Sequence, residues 1–456
     1  MKILVTNVYS YQNKGDAAIV LALLKEINRA FSNPKIAIQT TDEKNDKGKY
    51  GVQVSSTLLW ILLSSVRNKP LVTRIMVLIR GSLGLLLFLN AYKFTGISMN
   101  LLLTRSLKNF VQEIKNSDLV IGCGGGYLRT ETSGISDILL LSVTCLNLIA
   151  GKYLKKPVYL YSQSIGPIHG KIQEELLKVT LNKANLIELR EKDSLRYLQK
   201  LGIHKPMVIT ADPAFLLEKE YKALHKTRGL KKDRGLQVGI TVRKWFKSQE
   251  KLDQYIKAIA QTIDFLVEKH DATVYYIPQV IAQKFGDDDR HIAFRVKKEV
   301  EHKDRYKIIN KDLHPLEIIE LCSKVDIFIG TRMHSNIFAL ISKTPVIAIE
   351  YEHKTRGIMR ELGLEDLTIN IKEANYTLLR KKIESLIKNR TKYVNLIEKN
   401  LGSQIRASER AIEVIRDTHL KDSPEKSAKE TLRKLIIIMI GALVHYIGLS
   451  HPDYYM

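Results

Sequence analysis

The chain has 456 residues, of which 45% are hydrophobic, and its 72 Lys+Arg against 48 Asp+Glu give a formal net charge of +24. This length allows two domains with buried cores, and the positive charge favours anionic partners such as phosphorylated substrates or anionic lipid. The sequence contains no helix-turn-helix, zinc-finger or RNP-like pattern, so nucleic acid is not an expected partner. Three cysteines without a CxxC pair argue against a disulfide framework and favour a reducing compartment.

The first half of the chain alternates strand-like and helix-like segments. Runs of apolar and β-branched residues predict strands at 2–8, 35–39, 118–122, 157–161, 184–189 and 207–209. Helical periodicity predicts helices at 16–29, 135–153, 176–183 and from 193 onward. Strands that alternate with helices in this way predict a parallel sheet with helices on both faces.

Residues 56–106 form a very apolar insert in this series. Arginines interrupt it, so it offers no stretch of about 20 uncharged apolar residues for a membrane span. A second apolar stretch, 435–449, follows a basic pair and is also short for a span. Both segments predict helices that lie at the membrane surface with cations on the lipid headgroups. The alternative for the insert is ordinary core with a helical hairpin. The expected location is the cytoplasmic side of the cell membrane, on its inner face.

A polar and basic stretch, residues 219–234, predicts a linker, and a new strand–helix series follows it. Predicted strands lie at 237–242, 273–277, 307–309, 325–330 and 345–349, and predicted helices at 251–269, 289–300 and 316–322. The predicted fold class is therefore α/β, with two Rossmann-like domains facing a cleft.

The predicted domain boundaries follow from these breaks. The N-terminal domain covers residues 1–220, including the apolar insert, and the C-terminal domain covers residues 235–375. Residues 376–418 predict a charged helical segment. Residues 419–456 predict a tether followed by an apolar or amphipathic C-terminal helix.

Cationic residues end two strands of the second half. Arg332 and His334 lie in the turn GTRMHS between a strand and a helix, where ligands bind in open α/β sheets. Together they predict anion capture coupled to proton transfer, with His334 becoming protonated once the anion binds. The alternative is a satisfied core histidine. Arg243 ends another strand, where its guanidinium could hold a carboxylate or phosphate at two points or simply lie on the surface.

Polar and glycine-rich turns end strands of the first half. Asn13, Gly15 and Asp16 close the first strand–helix turn, where Asp16 either caps the helix or accepts a substrate hydroxyl. The turn GCGGG contains Gly124, Gly125 and Gly126. Its backbone can approach an anionic ligand closely, although glycines also serve close packing.

Two further polar segments have alternative interpretations. Gln163 and Ser164 end a strand and are expected to face the cleft, unless they form only a polar turn stopped by proline. The acidic run 287–289 could bind a metal, but Asp289 also suits a helix N-cap. No metal is expected.

In order and spacing, these motifs resemble the polysaccharide pyruvyl transferase family. The matching segments include NKGDAAI (13–19), IGCGGG (121–126), YSQSIGP (161–167), ITADPAFLL (209–217), GITVRKW (239–245) and GTRMHSNIFAL (330–340). The resemblance covers about residues 1–375 and excludes the apolar insert and the tail. It implies a GT-B-like fold and transfer of a pyruvyl group from phosphoenolpyruvate to a sugar of a surface polysaccharide, as a ketal.

The same resemblance implies roles for individual residues. His334 is implied as the general acid, and Arg243 and Arg332 are implied to hold the carboxylate and phosphate of the donor. Lys354 adds charge on the phosphate side. No cofactor is expected. Phosphoenolpyruvate is the donor substrate of the implied reaction.

The expected partners are phosphoenolpyruvate, a sugar acceptor carried on a polyprenyl diphosphate, and the membrane surface. Two alternatives stay open at this point. One is a GT-B-type nucleotide-sugar glycosyltransferase in which Glu350 binds a ribose. The other is a non-catalytic, membrane-associated component of polysaccharide assembly.

Overall fold

A computed structural model of the chain describes residues 1–66, 68–95, 103–224 and 235–421. The predicted C-terminal apolar helix, nearly all of the predicted tether and most of the predicted linker lie outside these residues. The chain divides into two compact units. The first comprises Met1–Tyr11, Leu23–Thr210 and the chain from Arg410, and the second comprises Gln12–Ala22 and Ala211–Glu409.

The first unit is built on an eight-stranded sheet in which every pair of neighbouring strands is parallel. Its strands are β1 (Lys2–Val8), β2 (Lys35–Thr40), β3 (Gln53–Ser56), β4 (Leu119–Gly122), β5 (Gly125–Leu128), β6 (Val158–Ile165), β7 (Leu186–Leu189) and β8 (Met207–Ile209). They lie in the order β3-β2-β1-β4-β6-β7-β8, with β5 beside β6. The central strands β4 and β6 are buried along their whole length, although β6 contains Ser162, Gln163 and Ser164 after its apolar first half.

Helices cover this sheet. They are α1 (Lys14–Ala30), α2 (Glu43–Asp46), α3 (Leu58–Leu63), α4 (Leu71–Thr95), α5 (Arg105–Asn116), α6 (Ile135–Tyr153), α7 (Lys171–Leu181) and α8 (Lys192–Lys200). The core of this unit is a single cluster in which apolar side chains of α4, α5, α6 and α7 pack together with those of the strands. All six predicted strands of the first half are present, and β3 and β5 are additional.

The apolar insert, for which the sequence predicts helices, contains the short helix α3 and the long helix α4. Helix α4 has 25 residues and runs through Arg74 and Arg80, because arginine is a good helix former and a charge on one face does not end a helix. Among the described residues, α4 and α6 are the two helices long and apolar enough to cross a membrane. Within the protein, 44% of the apolar window of α4 and 67% of that of α6 are buried.

The second unit contains a six-stranded parallel sheet and a short antiparallel pair. Its strands are β9 (Gln237–Ile240), β10 (Thr273–Tyr276), β11 (Ile281–Ala282), β12 (Asp287–Asp288), β13 (Tyr306–Ile308), β14 (Ile327–Gly330), β15 (Val346–Glu350) and β16 (Thr368–Asn370). The sheet order is β13-β10-β9-β14-β15-β16, and β11 pairs with β12. Its helices are α9 (Leu217–Leu224), α10 (Gln249–His270), α11 (Arg290–Glu299), α12 (Pro315–Ser323), α13 (Met333–Ile341), α14 (His353–Glu361), α15 (Tyr376–Lys388) and α16 (Arg390–Lys421).

The two units differ from the predicted domain boundaries in several respects. Residues 211–220 belong to the second unit and not to the predicted N-terminal domain, and the chain from Arg410 belongs to the first unit. Residues 12–22, at the start of α1, belong to the second unit. Residues 219–224 form part of α9, although the sequence predicts a linker there. The charged segment 376–418 forms two helices, and apolar side chains from both join the core of the second unit. Periodicity identifies a helix, but it does not identify the core against which that helix packs.

Candidate active site

His334 lies in the first turn of α13, directly after the fully buried strand β14. The neighbouring strand β9 holds this turn in place. The backbone N–H of Thr331 donates to Thr241 Oγ1 at 2.9 Å, and the Ser335 hydroxyl lies 2.9 Å from the same oxygen. The carboxyl ends of adjacent parallel strands therefore fix the backbone that carries the histidine.

Asp212 is the carboxylate nearest to the imidazole. One of its oxygens lies 3.5 Å from His334 Nε2, and its side chain is 1% exposed. At this distance the contact is electrostatic, and Nε2 has no hydrogen-bond partner in the described part of the chain. Asp212 also accepts a hydrogen bond from the backbone N–H of Ala214 at 3.0 Å, which fixes the carboxylate in place.

Gly15 lies directly against the imidazole of His334. A Cβ atom at this position would be 2.1 Å from His334 Nδ1 and 2.4 Å from Cγ, so only glycine allows the ring to lie there. The predicted capping role of Asp16 is wrong. Helix α1 begins at Lys14, and the side chain of Asn13 accepts hydrogen bonds from the backbone N–H groups of Gly15 and Asp16 at 3.2 and 3.4 Å. Asn13 also donates to Asp16 at 2.6 Å.

Arg332 is bound within the protein instead of standing open to a ligand. Its guanidinium contacts Asp287 and Asp289, each at 2.6 Å, and the residue is 8% exposed. Burial alone lowers the pKa of Arg332, but the charge of Asp289, followed by Tyr351 and Asp287, raises it well above its ordinary value. Two carboxylates of the protein therefore occupy the guanidinium, to which the resemblance implies that an anionic substrate binds.

The acidic run 287–289 therefore forms ion pairs. Asp289 occupies the N-cap position of α11, as predicted, but its side chain makes no capping hydrogen bond. Its oxygens instead accept hydrogen bonds from Arg332 and from the backbone N–H of Val280, the latter at 3.1 Å. In the part of the chain that the structure describes, no group of three or more His, Cys, Asp or Glu residues is placed to hold a metal ion.

Arg243 follows β9 and rests on two aromatic rings. Its guanidinium carbon lies 4.4 Å from the ring centroid of Tyr351 and 5.6 Å from that of Trp245. Stacking of this kind holds the planar cation by one face and leaves its N–H edge available. No ion pair involving Arg243 occurs among the described residues, in contrast to Lys354, which lies 2.6 Å from Glu352.

The predicted site residues of the first unit have mainly structural contacts. Gln163 is fully buried, and its amide nitrogen donates to the carbonyl oxygen of Cys123 at 2.6 Å and to the Tyr127 hydroxyl at 2.9 Å. Ser164 is 5% exposed, and its hydroxyl accepts a hydrogen bond from Arg190. Both side chains are therefore buried, and their predicted role in ligand binding stays a prediction.

The glycine-rich turn has a similar explanation. A Cβ on Gly124 would lie 2.8 Å from the carbonyl oxygen of Ser162, so the turn packs tightly against β6. Gly125 and Gly126 are part of strand β5, and the next helix, α6, begins only at Ile135. Close packing, the alternative considered from the sequence, accounts for the glycine at position 124. The role of this turn in ligand binding stays a prediction.

The sequence does not assign Asp212 or Lys14 of the second unit to the site, and it assigns Glu350 only in the glycosyltransferase alternative. Asp212 ends a strand-like segment before proline, which is a detectable signal for a residue at a strand end. Lys14 is 1% exposed and pairs with Asp312, and no periodicity predicts a buried lysine. Glu350, at the end of β15, is 5% exposed. One of its oxygens accepts a hydrogen bond from Arg356 at 2.8 Å, and the other has no partner in the described ranges.

Two α/β units with parallel sheets give the chain the fold of the GT-B-type glycosyltransferases and epimerases. The chain is similar to S. aureus MnaA in a co-structure with UDP, with a TM-score of 0.56 and 14% identity over 94% of this chain and 99% of that chain. A putative UDP-N-acetylglucosamine 2-epimerase from Listeria monocytogenes gives a TM-score of 0.56 and 13% identity over the same shares. Identities this low show the fold alone, which is the predicted one.

The family follows from the sequence. The model of the polysaccharide pyruvyl transferase family matches residues 13–353, and the chain belongs to this family. It is also similar to the amylovoran biosynthesis protein AmsJ of Erwinia amylovora, with 24% identity over 400 residues, which is 85% of this chain and 92% of that protein. The predicted family is confirmed, and the chain is a transferase that acts in polysaccharide modification.

Proposed function

We propose that the chain transfers a pyruvyl group from phosphoenolpyruvate to two hydroxyls of a sugar, forming a ketal. The observation that carries this proposal is the imidazole of His334, held against Gly15 and facing Asp212, in a unit that also carries Arg243, which forms no ion pair with any described residue. The similarity to AmsJ, an amylovoran biosynthesis protein, supports a surface polysaccharide or its lipid-linked precursor as the acceptor. The proposed location is the cytoplasmic side of the cell membrane, where such precursors are built.

The chemistry requires a proton donor and a fixed cation. Phosphoenolpyruvate is an enol phosphate, and protonation of its methylene carbon gives an oxocarbenium ion at C2. One sugar hydroxyl attacks this carbon and releases its proton. Phosphate then leaves, and a second hydroxyl attacks C2 and also loses its proton, which closes the ketal. The two hydroxyls release two protons, of which one replaces the proton delivered to carbon and the other ends on the departing phosphate, so the imidazole is recharged within each cycle.

His334 supplies the first proton in this scheme. Nε2 faces Asp212, so the other ring nitrogen, at Gly15, is the one left for transfer to the substrate. The carboxylate of Asp212 faces the imidazole and orients it, as a buried acid does for histidine in other acid–base sites. Arg243 holds the donor carboxylate through its free guanidinium edge, and Arg332 acts as a positioning residue through its two aspartates.

Two measurements test this proposal together. The purified chain is titrated calorimetrically with phosphoenolpyruvate and, separately, with UDP. The surface polysaccharide of cells with and without the chain is then analysed by mass spectrometry for pyruvyl ketals. Binding of phosphoenolpyruvate together with ketals that depend on the chain supports the proposal. Binding of UDP alone, or ketals that persist without the chain, overturns it.

One observation favours the second candidate, a nucleotide-sugar glycosyltransferase. Glu350 ends β15 with one buried carboxylate oxygen that has no partner among the described residues. A ribose of UDP could donate its hydroxyls to that oxygen. If this candidate is correct, calorimetry shows that Glu350→Gln binds UDP at least tenfold more weakly than the wild type. Titration of either protein with phosphoenolpyruvate then gives no binding heat.

Asp212→Asn is expected to slow transfer by about 100-fold, because the imidazolium loses its buried counter-charge while the neutral amide keeps the hydrogen bond to Ala214. Initial rates are measured as phosphate release from phosphoenolpyruvate, with the lipid-linked sugar fraction of cells lacking the chain as acceptor. The pH profile of kcat distinguishes a positioning role from a structural one, since only the former moves the alkaline limb, on which a general acid is lost by deprotonation. An unchanged profile with an unchanged rate contradicts the assignment.

Gly15→Ala is expected to reduce the same rate by about 100-fold, because the added methyl group displaces the imidazole by about 1 Å. The measurement is phosphate release together with the melting temperature. Alanine is the better helix former by about 1 kcal/mol, so lost activity should not come from a weaker helix α1. Gly357→Ala is the matched control, since a Cβ there meets no atom within 4 Å. Equal rates for the two variants contradict the prediction.

A further inference from the structure

Helix α4 of the first unit carries an exposed apolar stripe along its whole length. Val72, Met76, Leu87 and Phe94 are 51%, 64%, 53% and 56% exposed. At 100° per residue these four positions fall within an arc of about 60° of the helix circumference. They are four of the ten large hydrophobic side chains exposed in the described ranges, so exposed apolar surface is concentrated on this helix.

The opposite face of α4 belongs to the protein core. Leu78, Leu85, Phe88 and Leu89 are nearly or fully buried in the cluster that also contains α6. A helix that spans a membrane alone exposes all its faces to lipid, whereas half of this one is covered by its own unit. A helix with one exposed apolar face, whose opposite face packs in the protein core, is suited to lie in a membrane surface.

The charge around the stripe identifies the surface that it fits. Residues 47–112, which include α3 and α4, contain lysines and arginines but no aspartate or glutamate. Arg80 lies beside the stripe, is exposed, and forms no ion pair within the described part of the chain. Cations flanking exposed apolar side chains match the anionic headgroups and acyl chains of a lipid bilayer.

A second copy of the chain fits this face less well. Pairing of two identical faces would bring two surfaces of the same positive sign together, without a carboxylate from residues 47–112 to compensate them. An anionic lipid bilayer supplies both negatively charged headgroups for the cations and apolar acyl chains for the exposed side chains.

We propose that the exposed face of α4 docks the protein on an anionic lipid bilayer, with Met76, Leu87 and Phe94 inserted among the acyl chains. This inference deepens the proposed function, because it assigns the surface that would bring the enzyme to a lipid-linked acceptor. It can fail while the transferase assignment stands.

The test uses the full-length chain and vesicles of phosphatidylcholine with about 30% phosphatidylglycerol, in flotation assays at low and high salt. Binding of the wild-type chain, weaker at high salt and weaker to pure phosphatidylcholine, is expected. Phe94→Glu and Met76→Glu should each reduce binding at least tenfold. Phe294→Glu is the matched control, since Phe294 is 48% exposed on α11 of the other unit.

A label gives an independent readout. The three native cysteines are buried, so an environment-sensitive fluorophore attached to the variant Met76→Cys reports on that position alone. A blue shift is expected on addition of the anionic vesicles and not for the control Ile172→Cys on α7. Binding that survives both glutamate variants but is lost on deletion of residues 431–456 overturns the proposal. A lipid-free dimer that Met76→Glu dissociates, without vesicle binding by the wild type, also overturns it.

Activity on a water-soluble acceptor separates this inference from the proposed function. Met76→Glu should keep wild-type phosphate release with a delipidated sugar acceptor while it loses vesicle binding. Loss of both phosphate release and vesicle binding would indicate that the variant is misfolded, and a lower melting temperature would show this. In that case Leu87→Gln, a milder change on the same stripe, decides, and retained vesicle binding by a folded Leu87→Gln chain counts against docking.

Discussion

Replacement of His334 by glutamine is expected to lower kcat for pyruvyl transfer by about 10²–10⁴-fold, which is the usual contribution of a positioned general acid. Glutamine keeps the polar character of the side chain but cannot deliver a proton to carbon. Binding of phosphoenolpyruvate should stay within about threefold of the wild-type value, since the proton is transferred only in the transition state. Phosphate release measures the rate, and calorimetry measures the binding.

His302→Gln is the matched control for this prediction. His302 lies on the surface of the same unit, where its ring is 3.3 Å from Glu268, and its replacement should leave kcat unchanged. If His334→Gln transfers at the wild-type rate, the imidazole is not the acid. If it loses donor binding as well as turnover, His334 holds the donor instead of protonating it.

Arg243→Ala is expected to weaken phosphoenolpyruvate binding by about 10–100-fold, because a charge-assisted hydrogen-bonded contact contributes about 1.5–3 kcal/mol. Arg243→Lys should recover only part of this affinity. A lysine ammonium neither stacks on Tyr351 as a plane nor holds a carboxylate at two points. Dissociation constants from calorimetry, measured at two salt concentrations, check the prediction.

The adjacent exposed cation provides the control. Lys244→Ala removes the same charge one residue away and should change the dissociation constant by less than about twofold, as expected for a distant charge screened by solvent. Equal losses for both variants would show that the general positive potential attracts the donor. Unchanged binding by Arg243→Ala would remove this residue from the donor site.

Strand and helix identities in the two sheets follow closely from the order of apolar residues. The runs that form β4 and β14 contain no polar side chain, β15 is apolar up to its last residue, Glu350, and all three strands are fully buried. Helix α6 has the predicted bounds, Ile135–Tyr153. Burial on both faces of a parallel sheet leaves an uninterrupted apolar segment in the sequence, so periodicity is sufficient to detect it.

The site is less predictable, because the sequence shows residue types and not their partners. The sequence predicts that Arg332 binds an anionic ligand, but in the structure its guanidinium donates hydrogen bonds to Asp287 and Asp289. The sequence predicts that Gln163, at a strand end, faces the cleft, but its side chain is buried against the glycine-rich turn. In each case the partner comes from a segment that local pattern does not connect to it.

The sequence by itself determines that this chain is a cationic α/β protein with two sheets, in which glycine, arginine and histidine stand at strand ends. It does so because hydrophobic period and turn chemistry are local properties. Only the tertiary structure decides that Gly15 lies against His334, that Asp212 faces its imidazole and that one side of α4 is exposed. These depend on which distant segments share a core, and that choice is made by packing over the whole unit.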